Sequence, residues 1–155
     1  MKSIGLVIFM EIKNSAFSNG GKIPIRFTCS GESINPNLKI SGVPAKAKTL
    51  ALIVDDPDAP SGTFIHWLVW NISPKTKEIK GNASGIGVEG ITDAGEIGYT
   101  PPCPPHGPSH TYRFKLYALD TMLALDPGAD VSQLEMAIKG HTLEMAEIDG
   151  EFARG

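Results

Sequence analysis

Thr49–Asp58, TLALIVDDPD, and Phe64–Ile72, FIHWLVWNI, are the stretches that decide the fold. Successive side chains of a strand point to opposite sides. Both runs are apolar on the two faces at once, so each needs cover on both sides, as in the middle of a packed sheet. Trp67 and Trp70 then point to opposite faces and read as packing residues. A third run, His110–Asp120 (HTYRFKLYALD), alternates apolar with polar over Tyr112–Leu119 and reads as a half-exposed strand.

Each run also carries titratable groups in phase with its apolar residues. Leu50, Leu52, Val54 and Asp56 share a face, as do Phe64, His66, Leu68 and Trp70, and as do His110, Tyr112, Phe114, Leu116 and Ala118. One strand-end histidine would read as structural, but four polar groups in phase with core positions suggest a pocket. Pro57 and Pro60 stiffen the turn after Asp56 and hold its carboxylate, although Asp56 and Asp58 also suit an Asx-type turn. A buried neutral His66 needs two partners. Asp56 is the expected acceptor for one ring nitrogen, leaving the other for a ligand. Two imidazoles and a phenol make a donor-rich wall, suited to a small oxyanion and to phosphate above all.

Around these runs the chain is rich in turns. Glu11–Phe17 reads as a strand, Ile23–Phe27 as an edge strand because of Pro24, Leu38–Ser41 as a short strand, and Gly81–Thr100 as a long loop. Pro101–Ser109 (PPCPPHGPS) can form neither helix nor ladder, since its prolines lack donors and fix φ. It reads as a rigid wall. One helix is expected, capped by Ser132 with Glu135 completing a capping box. Leu134, Ala137, Ile138, His141 and Met145 follow at helical spacing, interrupted by Gly140. Met145–Phe152 can supply a last strand. Many short strands with one late helix predict a mainly β, single-domain, two-sheet sandwich-like fold with one principal C-terminal helix.

The 155 residues carry a net charge of -3, with 20% charged and no basic block. That argues against a nucleic-acid partner, which needs clustered Lys and Arg. The apolar run Ile4–Met10 is too short to span a bilayer. Glu11, Ile12 and Lys13 follow it directly, leaving no small-residue cleavage site for a signal peptide. Residues 1–9 are read as an upstream extension, with Met10 as the true start, or as an extra first strand; residues 10–155 form the domain. A cytoplasmic location is expected. Cys29 and Cys103 match no zinc spacing, and with nothing marking export two free thiols are expected.

DDPDAPSGTFIHWLVWNI (55–72) and GYTPPCPPHGPSHTYRFKLYALD (98–120) resemble the two signature segments of the phosphatidylethanolamine-binding protein family, closest to its bacterial and archaeal Raf-kinase-inhibitor-like branch. The resemblance extends to Ile23–Pro44 and Pro127–Glu147. It implies a sandwich-like β fold with a small pocket for phosphate and similar anions, built here from Asp56, His66, His110 and Tyr112, with Pro60, Pro101 and Cys103 among the ligand-contacting residues. Relatives often read Gly-Tyr-Gly-Gly-Pro-Cys-Pro-Pro where this chain has Gly98-Tyr99-Thr100-Pro101-Pro102-Cys103-Pro104-Pro105. Pro101 has no N–H to offer an anion.

The function expected is binding of a small anionic or phosphorylated ligand, in a regulatory role that the resemblance implies. The alternative it allows is a protein-interaction module inhibiting a protease or kinase, and a homodimer is left open. Two enzymatic routes exist: a metal on Asp56, His66 and His110, or Cys103 as a nucleophile near His110. Metal spacing is non-diagnostic and a cysteine pinned between prolines reads as wall. No catalytic residue, metal or cofactor is therefore assigned.

Overall fold

In the computed structural model, which describes residues 9–155, nine strands form two sheets. They are β1 (Glu11–Lys13), β2 (Gly21–Lys22), β3 (Leu38–Ser41), β4 (Thr49–Asp56), β5 (Phe64–Ile72), β6 (Glu78–Ile79), β7 (Val88–Glu89), β8 (His110–Leu119) and β9 (Thr142–Phe152), with one α-helix, α1 (Val131–Ile138). The small sheet has the order β1-β3-β6 and the large one β2-β9-β8-β4-β5-β7. All pairings are antiparallel except β2 with β9. Apart from Phe9, the extension or extra strand expected over residues 1–9 lies outside the described residues.

The fully apolar runs are where both faces are covered. β4 is buried along its whole length and lies between β5 and β8. Leu50, Leu52 and Val54 join Ile12, Leu38, Ile40 and Ile79 of the small sheet in the core between the sheets. Ala51 and Ile53 point the other way, into a second core closed by Leu123, Leu134 and Ile138. The helix therefore covers the outer face of the large sheet, and Trp67 and Trp70 fill the two cores separately.

Strict alternation fails on β5. Val54 pairs with Trp67 but Asp55 pairs with Ile65, so His66 is an extra residue, a β-bulge. Two residues of a bulged strand face one of its partner, which re-aims the side chains beyond it. Leu68 and Trp70 face the helix, whereas His66 turns to the opposite side, its ring centroid 5.2 Å from that of Tyr112. The expected grouping of Phe64 and His66 with Leu68 and Trp70 is thus corrected. A second irregularity lies between the pairs Leu50–Ile72 and Leu52–Val69. There Asn71 takes φ +54°, a conformation Asn tolerates better than most residues, and exchanges two hydrogen bonds with Leu123.

Other elements differ from expectation for local reasons. The helix is capped two residues earlier, by Asp130 with Gln133 returning the bond, rather than by Ser132 and Glu135. It stops at Ile138; Gly140 at φ +82° turns the chain, and His141 and Met145 leave the helix because β9 pairs with β8 from Thr142 onward. Pro24 opens a 3-10 turn over Ile25–Phe27 where an edge strand was expected. β1 ends at Lys13, where Asn14 begins a turn by accepting the Ala16 N–H. The loop before Thr100 contains β7, paired to β5.

Cys29 and Cys103 are joined in a disulfide, with Cα atoms 5.4 Å apart. The expected free thiols are corrected: the fold brings together two cysteines 74 residues apart, a proximity no local pattern encodes. Closing a loop of that size restricts the unfolded chain, and losing a native disulfide typically costs about 2–5 kcal/mol. Reduction, or Cys29→Ser with Cys103→Ser, should lower the unfolding free energy by that amount, read as a lower urea midpoint with a steeper slope, because the uncrosslinked unfolded chain exposes more surface. Thiol titration of the denatured, unreduced protein should find no free thiol.

Candidate functional site

At one end of the large sheet, β4, β5 and β8 deliver their polar ends to a single cleft of about 350 Å³. Its lining includes all seven residues expected from the sequence: Asp56, Pro60, His66, Pro101, Cys103, His110 and Tyr112. Phe64, Thr100, Pro104 and Pro105 complete most of the rest. A larger groove of about 550 Å³ beside β1 and β9 lacks such convergence of buried polar groups.

The two aspartates ending β4 point to opposite faces and are held separately. Asp55 accepts from Arg113 through both oxygens, at 2.7 and 3.0 Å, and from Lys115 at 2.7 Å. Asp56 turns to the cleft, where Oδ2 accepts from His110 Nδ1 at 2.7 Å and Oδ1 from the Asp58 N–H at 2.8 Å. The Asx-type turn and the cleft-facing role therefore coexist in one carboxylate. Asp58 in turn accepts the Thr111 N–H at 2.8 Å, pinning the start of β8.

Asp56 orients His110, not His66 as expected. His66 Nδ1 lies 2.8 Å from the Thr100 carbonyl, and the Thr100 N–H donates to the His66 carbonyl at 2.8 Å. The Thr100 hydroxyl is bonded to that of buried Thr92 at 2.7 Å. Burial lowers the His66 pKa below the ordinary imidazole value, outweighing the opposing pull of the Thr100 carbonyl and of Asp56. Tyr112 is fully buried, and burial, reinforced by Asp56 and Asp58, raises its pKa, so it stays a phenol. Its hydroxyl has no hydrogen-bond partner among the described residues.

Thr100 and Phe64 are the site residues that sequence reasoning missed as such. Phe64 was in phase with His66, and their rings pack at 4.9 Å. Thr100 acts through its backbone, which leaves no signature in residue type. Conversely, His106 is exposed and outside the lining; Tyr99 donates to the Phe27 carbonyl and packs perpendicular to Trp67; His141 is exposed and bonded to Asp120. Cys103, its sulfur bonded to Cys29, offers no thiolate, which removes the nucleophile route. Among the described residues no group of three or more His, Cys, Asp or Glu is arranged to hold a metal ion.

The family model for phosphatidylethanolamine-binding protein matches residues 13–153. The chain belongs to the phosphatidylethanolamine-binding protein family. A UPF0098 protein of Methanothermobacter thermautotrophicus is 47% identical over 152 residues, covering 94% of this chain and all of the relative. One from Pyrococcus horikoshii is also 47% identical, over 94% of this chain and 78% of its own. Among solved structures, the phosphatidylethanolamine-binding protein homologue CT736 of Chlamydia trachomatis is 42% identical, with a TM-score of 0.92 over 96% of this chain and 100% of that one. E. coli YbcL, described as a new member of the mammalian family, is 26% identical, with a TM-score of 0.88 over 94% and 99%. No helix among the described residues is long and apolar enough to cross a membrane.

An unpartnered buried hydroxyl destabilises a fold by about 1–3 kcal/mol. Tyr112→Phe should therefore raise the stability of the ligand-free protein, by about 1 kcal/mol, read as a higher denaturant midpoint. A lower midpoint would mean the hydroxyl is already satisfied.

Proposed function

We propose that this protein binds a small oxyanion, phosphate or the phosphate group of a larger ligand, in the cleft between Asp56, His66, His110 and Tyr112. The observation that carries the reading is the Tyr112 hydroxyl: buried, protonated and without a partner at the cleft. Buried donors are nearly always paired in folded proteins, so an orphan at a cleft floor is a donor kept for a ligand. His110 adds a second when its ring carries both protons: Asp56 then accepts from Nδ1–H and orients the ring, leaving Nε2–H to donate to an anion. Family membership supports the same reading.

The wall favours binding over turnover. Pro101, Pro104 and Pro105 are conformationally stiff, and the disulfide and the Cys29 N–H bond to the Pro102 carbonyl (3.0 Å) tie the segment to the 3-10 turn region. A preformed wall lowers the ordering cost of binding.

Histidine NMR titration with phosphate, paired with calorimetry, tests this. An anion favours the charged form of the imidazole that donates to it, so at least one histidine pKa should rise on saturation. Affinity should be greatest below the free-state pKa and weaken as pH rises through the bound-state value. His66→Ala and Tyr112→Phe should each weaken phosphate binding by roughly 5-fold or more, the worth of one buried hydrogen bond, while His106→Ala should leave it unchanged. Histidine resonances that stay fixed at saturating phosphate would defeat the reading.

A further inference from the structure

The cleft's hydrogen-bonding polarity narrows the ligand class, an inference that rests on the binding reading above. Among its lining residues there is no Lys or Arg. Five side chains supply polar atoms: Asp56, His66, Thr100, His110 and Tyr112. Asp56 is an acceptor, and the Thr100 hydroxyl is engaged with Thr92. The Thr100 N–H is committed to the His66 carbonyl, and Pro101 has no N–H, so neither adjoining backbone position donates into the cleft.

His66 is the deciding group. A carbonyl oxygen only accepts, so the 2.8 Å contact to Thr100 places the proton of the neutral ring on Nδ1. Nε2 is then a bare acceptor, and it has no partner within the described residues. The carboxylates that act on this ring are Asp55 and Asp56 from β4 and Asp93 from the loop after β7, and Tyr112 from β8 packs against it. The carboxylates favour a second proton, but burial prevails and keeps the ring neutral to lower pH than an ordinary histidine.

We propose that His66, fixed as the Nδ1–H tautomer by the Thr100 carbonyl, makes the cleft selective for oxyanions that still carry a proton. Nε2 accepts from a P–OH group while the Tyr112 hydroxyl donates to an ionised oxygen. Hydrogen phosphate meets this requirement at neutral pH, and a phosphomonoester meets it as the monoanion, below a second pKa of about 6. Sulfate matches hydrogen phosphate in shape and charge but has no proton at neutral pH, and would set an oxygen lone pair against Nε2. A site whose buried polar group is left unpaired discriminates strongly against the ligand that fails to pair it.

The test is competitive calorimetry of inorganic phosphate and sodium sulfate on the intact, disulfide-bonded protein. At about pH 7.5, where an imidazole with a lowered pKa is neutral, phosphate should bind at least roughly 10-fold tighter than sulfate. As the pH falls through the lowered His66 pKa the ring takes a second proton and donates, so the ratio should shrink. His66→Gln sets an amide that can donate in place of Nε2; with folding verified by its near-ultraviolet circular dichroism, it should bring the two anions to within roughly 3-fold of each other at neutral pH. Equal binding of both anions by the parent protein would overturn the selectivity while leaving the anion-binding reading intact. Binding of neither would overturn that reading itself. A phosphate preference that is independent of pH and survives in folded His66→Gln would assign the discrimination to Asp56 and overturn the role given to His66. Should the variant not fold, the pH series on the parent protein decides alone.

Discussion

β4 is the constraint on which everything else depends. Its eight residues are buried on both faces, so the small sheet must cover one side and the helix with its preceding loop the other. Its last two residues are aspartates that a strand necessarily points to opposite faces. A buried carboxylate is tolerated only when paired and hydrogen-bonded. Asp55 meets Arg113 and Lys115, and Asp56 meets His110, all three from β8. The pairing of β4 with β8 is thus secured at the same residues that define one side of the cleft.

The opposite side is built differently. β5 brings His66 to the cleft by breaking its own alternation, and the bulge is closed off by two bonds to Thr100, whose N–H donates to the His66 carbonyl and whose carbonyl accepts from His66 Nδ1. Proline 101 and the residues after it cannot take part in a ladder, so their position is set by the disulfide, by the bond from Cys29 to Pro102, and by packing. One wall is held by sheet hydrogen bonds and the other by covalent and steric stiffness. Between them lies a hydroxyl that neither wall satisfies.

The relatives that share the fold include archaeal and chlamydial proteins identical at nearly half of their positions, over nearly the whole of this chain. Against the family pattern that the sequence resembles, Thr100-Pro101 stands where Gly-Gly is common. At these positions the Thr100 hydroxyl meets Thr92, and Pro101 lines the cleft without a backbone N–H.

The two-sided apolar runs and the in-phase Asp56, His110 and Tyr112 were legible in the sequence, because periodicity is a local property and burial follows from it directly. The single late helix was legible too, though its cap was misplaced by two residues, since Ser132 and Asp130 are both competent caps and only the path of the chain chooses between them. Tertiary structure alone decided the rest. A bulge depends on the pairing of two strands, so the true face of His66 could not be read from β5 by itself. A disulfide spanning 74 residues depends on where two loops meet. The tautomer of His66 depends on a backbone carbonyl of Thr100, and a backbone atom is the same in every residue, so no side-chain pattern could announce it.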